Sequence, residues 1–333
     1  MSSHDSALLD LVEDLTKDVA QPPAGALPAL WPTLEKLHLT GVGTSEALGG
    51  SGGTVADLVT LCRALAARSV SSPLAEAASA NWMLGSADRS LTGLSTVALR
   101  AEASPGSELL RAQAVPWARH ADHLIVVYGA ATGHVDLRAP SVTVTPGVNL
   151  AGDPRDEVTF PESELTYLPT PGPGSLAHRL FLLKAAELTG AIAGAYELTR
   201  SHVSTREQFG KPLIALTAVA NGLAEMKVAL LQSTCALERA TCIEDTGHID
   251  PAIPDPAVVI ARIVAARAAT TVARRAHQLH GAIGITHEYP LHTFTTRLWA
   301  WRDELGSEHE LASHLGRLAL ASGEHAVWDV LTA

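Results

Sequence analysis

The feature that most limits what this chain can become is the series of long, alanine- and leucine-rich segments in its second half, at 175–207, 212–247, 255–281, 288–302 and 308–325. Apolar residues recur in them at three- and four-residue spacing, the period of one helix face. Short connections return each such helix beside its neighbour, so 175–333 is predicted to be a four-helix bundle. A cluster of Pro and Gly at Pro169 to Gly174 separates it from what precedes.

The first ninety residues are also predicted to be helical. Leu8, Leu11, Val12, Leu15 and Val19 form a stripe over 5–20, with acids on the other face. A second stretch, Leu27 to Leu39, leads into a Gly/Ser-rich turn. Thr54 then opens a helix that runs through Ala67, and Pro73 another through Leu84. Between 91 and 168 the texture changes to short β-branched runs divided by Gly and Pro, such as HLIVVYGA and DEVTF. These predict a small, antiparallel sheet. The expected order is a helical domain (1–90), a small β domain (91–168) and a helical bundle (175–333), mostly α overall.

Composition removes several function classes. With 47% apolar and 18% charged residues, the 333-residue chain has the make-up of a buried globular protein. A net charge of −11 without any basic run excludes a nucleic-acid partner, which needs clustered Lys and Arg. The acidic N-terminus is unlike a secretory signal, and no uninterrupted apolar stretch long enough to span a bilayer occurs. A cytoplasmic, membrane-free protein is expected. Cys62, Cys235 and Cys242 are read as buried free thiols, having no CxxC pair. Fifteen His residues are scattered, and neither His277/His280 nor His287/His292 has a carboxylate at metal-site spacing, so no metal is expected. Trp299 and Trp301 alternate on a helix and are read as interface packing.

Two stretches carry chemistry. SHVSTREQFGKPL (201–213) joins two helices through a sharp turn that Gly210 and Pro212 permit. Its Arg206 offers a planar fork suited to phosphate oxygens. HQLHGAIGITHEYPLH (277–292) ends a helix with small residues at Gly281, Ala282 and Gly284. The pair resembles the R-x-Q-F-G-K-P-L and Q-x-x-G-G-x-G segments of the acyl-CoA dehydrogenase family. Weaker echoes at 47–66 and 147–160 extend the likeness across nearly the whole chain.

That resemblance implies the family's fold: N-terminal helices, a small central β domain and a C-terminal four-helix domain. It also implies an FAD cofactor, an acyl-CoA substrate, α,β-dehydrogenation of the thioester and electron delivery to an electron-transfer flavoprotein. Arg206, Gln208, Phe209, Gln278, Gly281 and Ala282 then become flavin-binding residues, with Ala282 standing where the family has a second Gly. Glu304 becomes the candidate base for the α-proton, one position before Leu305, where the ungapped pattern expects an acid. Asp303 and Glu308 are lesser candidates. The base position that some relatives use earlier in the bundle falls on Leu180. Ser307 is read either as a flavin contact, by resemblance, or as the N-cap of the last helix.

Other departures matter. The T-E-x-x-x-G-S-D-like wall of the flavin site is missing from the stretch LTGLSTVALRAEASPGSELL, and Thr217 replaces a usual Gln. Shortened relatives often pair with a homologous subunit as a two-plus-two heterotetramer, one chain giving flavin contacts and the other the base. A homo-oligomer or such a heterotetramer is therefore expected. The alternatives are a non-catalytic partner that completes a homologue's flavin site, and a thioester desulfinase on the same scaffold.

Overall fold

A computed structural model describes residues 3–17, 19–103, 108–169, 172–244 and 254–332. Four helices come first: α1 (Ser3–Thr16), α2 (Trp31–Lys36), α3 (Val55–Ala67) and α4 (Leu74–Ser86). The expected start of α3 is where sequence chemistry puts it. The Thr54 hydroxyl accepts from the Asp57 backbone N–H, and the Asp57 carboxylate accepts from the Thr54 N–H, a reciprocal cap. The 27–39 stretch is helical only over α2, and α1 stops four residues short of the expected end.

Seven strands follow: β1 (Ser95–Ala103), β2 (Leu109–Pro116), β3 (His123–Tyr128), β4 (Ala131–Asp136), β5 (Thr143–Thr145), β6 (Arg155–Pro161) and β7 (Thr166–Leu168). They form one sheet in the order β5-β6-β2-β1-β3-β4-β7. The sheet is mixed, not wholly antiparallel, because β1 and β3 run parallel at its centre. Alternation along β3 explains its apolar run. Leu124 and Val126 enter one core cluster and Ile125 and Val127 another, so the sheet is buried on both faces.

The remainder comprises α5 (Pro173–Thr205), a two-residue-per-strand hairpin β8 (Glu207–Gln208) and β9 (Lys211–Pro212), α6 (Thr217–Glu244), α7 (Pro256–His280), α8 (Leu291–Trp301) and α9 (Glu308–Thr332). Pro173 occupies the first turn of α5, where its missing N–H costs nothing. The expected second helix of the bundle was read to begin at 212, but it begins at Thr217. Phe209 and Gly210 both have positive φ, 54° and 74°, and turn the chain as a tight hairpin before α6. Its expected end at 247, and part of the Pro/Gly cluster at 169–174, lie outside the described residues.

Helix α7 packs between α5 and α6 through Ala265, Ala269, Ala273 and Ala276, all buried. The stretch Pro256–Ile285 is long and apolar enough to cross a membrane by composition alone. Its buried apolar face packs inside the bundle, as expected of a core helix. Trp301 likewise lies in the interior and not at an interface as its spacing suggested, with its indole N–H donating to Asp153 at 2.8 Å. Trp299 is half-buried beneath the Arg302 guanidinium, 4.4 Å from its ring centre. Of the three thiols only Cys62 is buried, and burial pushes its pKa up. Cys235 and Cys242 are exposed on α6, which corrects the expectation of three buried thiols.

Candidate functional site

Two clefts hold the residues singled out by sequence. The first, of about 620 Å³, opens between the C-terminal ends of α5 and α7, the β8–β9 hairpin and the start of α6. Arg206, Gln208, Gln278, Gly281 and Ala282 all line it. Arg206 ends α5, its N–H donating to the His202 carbonyl at 2.9 Å, which points the residue out of the helix end. Its guanidinium is exposed, and among the described residues no carboxylate pairs with it. Gln278 accepts from Arg275 at 2.8 Å, and Arg275 is tied to Glu225 at 2.5 Å.

Gly281 has φ 61° and ψ −140°, a conformation that a side chain resists, and a Cβ there would meet only open space. The glycine is therefore required by the backbone and leaves the cleft floor uncovered. Ala282 sits in the following turn with negative φ and is exposed, so its methyl costs the chain no strain. An unpaired guanidinium beside a bare, glycine-built backbone corner suits the diphosphate of a dinucleotide.

Phe209 stands apart. At the hairpin tip it is 85% exposed and lines neither cleft. Ser307 is likewise outside both clefts, and its hydroxyl is used within the chain. It accepts from the Glu310 N–H and donates to the Glu310 carboxylate at 2.8 Å, capping α9. The N-cap reading is the one the structure gives.

The second cleft, of about 790 Å³, lies between the sheet, α4, α5 and the end of α8. Leu180 and Leu305, the two positions at which the resemblance expects an acid, both line it. Its sheet wall is broken by irregular register in β1 between Ala98 and Ala101 and in β2 between Ala112 and Val115. Such bulges re-aim side chains at a strand's edge.

Glu304 also lines this cleft, with one of its two carboxylate oxygens engaged. Its Oε1 accepts from Arg155 Nε at 2.9 Å, Arg155 Nη2 at 2.5 Å and Asn149 Nδ2 at 3.2 Å. Arg262, buried, donates to the carbonyls of Trp301 at 3.0 Å and Glu304 at 2.6 Å, fixing the backbone at the end of α8. Burial lowers the Arg262 pKa to about 10. Asp303 lines the same cleft and pairs with Arg302 at 3.0 Å, whereas Glu308 pairs with Arg267 at 2.6 Å on the surface.

Beneath the cleft is a group that sequence reasoning missed. Lys184 is buried and pairs with Glu76 at 2.6 Å and Glu187 at 2.8 Å. Glu304, Arg155 and Arg262 lie within electrostatic reach of this pair. Burial opposes the Lys184 charge, but Glu187 and Glu76 outweigh it and hold the ammonium protonated. Desolvation is the largest influence on Glu187 and raises its pKa to about 7.

A pH dependence follows. Glu187 holds a proton in the fold up to about pH 7 but in the unfolded chain only up to about 4.5. Its contribution is complete below the lower value and disappears as pH rises through the upper one. Compared with Glu187→Gln, the wild type is expected to lose on the order of 2–3 kcal/mol over that window. Urea midpoints of both proteins across the range measure it, and parallel curves would refute the raised Glu187 pKa.

Among the described residues no three of His, Cys, Asp and Glu gather as a metal site. The histidines instead pair with one another. His202 and His280 stack at 4.4 Å between ring centres on the wall of the first cleft.

Comparison with known proteins bears on the fold and the family. Residues 182–306, which include parts of both clefts, match the family model described as acyl-CoA dehydrogenase, C-terminal domain. The acyl-CoA dehydrogenase IpdE2 of Mycobacterium tuberculosis is 29% identical over 90% of this chain and 87% of its own length. Its Mycolicibacterium smegmatis counterpart is 26% identical over 93% and 97%. Among solved structures, the ChsE4-ChsE5 complex from Mycobacterium tuberculosis superposes with a TM-score of 0.84 at 21% identity, covering 97% of this chain and 99% of that one. A Tcur3481-Tcur3483 steroid ACAD variant gives 0.85 at 23% identity, covering 96% and 98%. With helices, mixed sheet and bundle aligned end to end, and residues 182–306 matched by the family model, the chain has the acyl-CoA dehydrogenase fold and carries that family's C-terminal domain.

Proposed function

We propose that the chain is a subunit of an FAD-dependent acyl-CoA dehydrogenase that introduces an α,β double bond into an acyl-CoA thioester and passes electrons to an electron-transfer flavoprotein. Its working place is the cytoplasm, and its substrates are fatty-acyl or steroid side-chain thioesters of β-oxidation. The observation that carries this reading is the convergence of Arg206, Gln208, Gln278, Gly281 and Ala282 on one cleft. Arg206 would pair with the diphosphate, while Gln278 and the open backbone at Gly281 would border it. When bound, the flavin supplies the acceptor for the hydride leaving the β-carbon. A structural relative at TM-score 0.79 is named as an FAD complex of PigA.

The rim of the cleft argues for a second chain. Phe209, Ile214, Ile283 and Ile285 expose apolar surface around it. A homo-oligomer, or a heterotetramer with a homologous subunit, would cover that rim and set the Phe209 ring against a cofactor held jointly.

One observation favours the narrower reading, in which this subunit completes a partner's flavin site while the partner takes the α-proton. A base must offer a lone pair to the substrate. Glu304 is held by Arg155 and Asn149 through Oε1, which leaves only Oε2 to face a substrate, and the two positions where the resemblance expects an acid are Leu180 and Leu305. In the assembly purified with its partner, Glu304→Gln is expected to leave turnover within about threefold. A loss of about 10²–10⁴ would mark Glu304 as the base. Arg206→Ala is expected to weaken flavin retention by about 10- to 100-fold, the worth of a charged hydrogen bond to phosphate. Unchanged flavin content by absorbance would defeat the assignment of this cleft.

A further inference from the structure

The wall of the first cleft contains a hydrogen-bond acceptor that the chain itself leaves unused. His280 is the last residue of α7 and is only 6% exposed, yet it lines the cleft. Its Nδ1 lies 2.8 Å from the Ala276 carbonyl oxygen, which can only accept, so Nδ1 carries the hydrogen. Burial holds the imidazole pKa down at about 4, with the neighbouring His202 and His277 acting in the same direction. The ring is therefore neutral at physiological pH, and Nε2 is a bare lone pair. Among the described residues Nε2 has no partner.

The ring is also held still. His202 stacks on it with 21° between the planes, and the Tyr289 ring centre lies 5.0 Å away on a tilt. A buried acceptor with fixed tautomer and fixed plane, and no donor, is costly to leave unmet. The missing group must be an N–H or O–H. The cleft's own cations, Arg206 and Arg275, form no bond to it. A diphosphate supplies only acceptors, so the donor must come from the nucleoside attached to it.

We propose that His280 Nε2 accepts a hydrogen bond from the adenosine half of the nucleotide held in this cleft, through the adenine 6-amino group or a ribose hydroxyl. His280 is thereby a specificity-determining residue, reading the nucleoside while Arg206 reads the charge. This rests on the reading that the first cleft holds a dinucleotide diphosphate.

The test uses flavin-free full-length protein in its native assembly, titrated calorimetrically with ADP, with IDP, which lacks the amino group, and with 2′- and 3′-deoxy-ADP. The wild type is expected to bind ADP about tenfold more tightly than the analogue that lacks the donor. A deficit with IDP identifies the amino group, and a deficit with a deoxy analogue identifies the hydroxyl. His280→Phe, which keeps the stack but loses the acceptor, should bind all four equally. His280→Gln, whose Oε1 can stand in for Nε2, should recover part of the preference. Independently of any variant, the ¹⁵N resonance of the unprotonated His280 nitrogen should move on addition of ADP. If ADP and all analogues bind the wild type equally and that resonance stays in place, the role of His280 is overturned while the cleft assignment stands. If neither ADP nor FAD binds, both fall.

Discussion

Lys184→Met is expected to destabilise the fold by about 3–5 kcal/mol, the cost of stranding buried charge without its partner. Lys184 is only 7% exposed at its side chain and touches Glu76, fully buried, and Glu187. Removing the ammonium leaves Glu76 and Glu187 without the cation they pair with, and the protein must protonate them or admit water. The urea midpoint should fall with an unchanged slope. The double variant Lys184→Met, Glu187→Leu should recover part of the loss, because replacing a buried pair by apolar groups is far milder than breaking it. A single-variant loss below about 1 kcal/mol would mean that these charges are solvated, contrary to their burial.

Gly190→Ala is the second large effect, expected at about 3 kcal/mol even though alanine favours a helix over glycine by about 1 kcal/mol. Gly190 lies midway along α5 where it crosses α3. A Cβ there would press well inside contact distance of the Arg63 carbonyl oxygen and lie 2.9 Å from its carbon and 3.0 Å from the Ala66 methyl. Backbone cannot yield as a side-chain tip can, so the two helices must separate. Gly316→Ala in α9 is the contrast, because nothing lies within 4 Å of its Cβ. It should stabilise by about 0.5–1 kcal/mol. Melting temperatures of the two variants should therefore move in opposite directions, and a common direction would refute the close approach of α5 and α3.

The helices were legible because their signals are local. Thr54 and Asp57 cap α3 within four residues, and the alanine spacing of α7 needs no partner to be read. The parallel centre of the sheet was not legible. Which strands pair depends on β1 meeting β3 across the whole of β2, and nothing in either strand encodes direction. The hairpin at Phe209–Gly210 was read as a direct helix-to-helix turn because Phe is an unusual residue at positive φ.

Five of the residues singled out by sequence meet in one cleft because they fall in two contiguous stretches that the chain brings together. Arg155, in contrast, meets Glu304 across 149 positions. No spacing rule could pair them. Lys184 and Glu187 are three apart on a helix, the spacing of many surface pairs, and only their burial sets them apart. The acceptor on His280 depends on a carbonyl one turn earlier, visible only once the ring is oriented.

The contacts at the end of α8 have a mechanical consequence. Glu304 grips Arg155 at the start of β6, Trp301 grips Asp153 just before it, and all of these residues are buried or nearly so. They latch bundle to sheet across the second cleft. Swinging these lobes apart would break a largely buried charge-assisted pair and an indole–carboxylate bond together, a cost above thermal energy. Hinge opening is thus suppressed, and whatever enters that chamber must thread a mouth that already stands open.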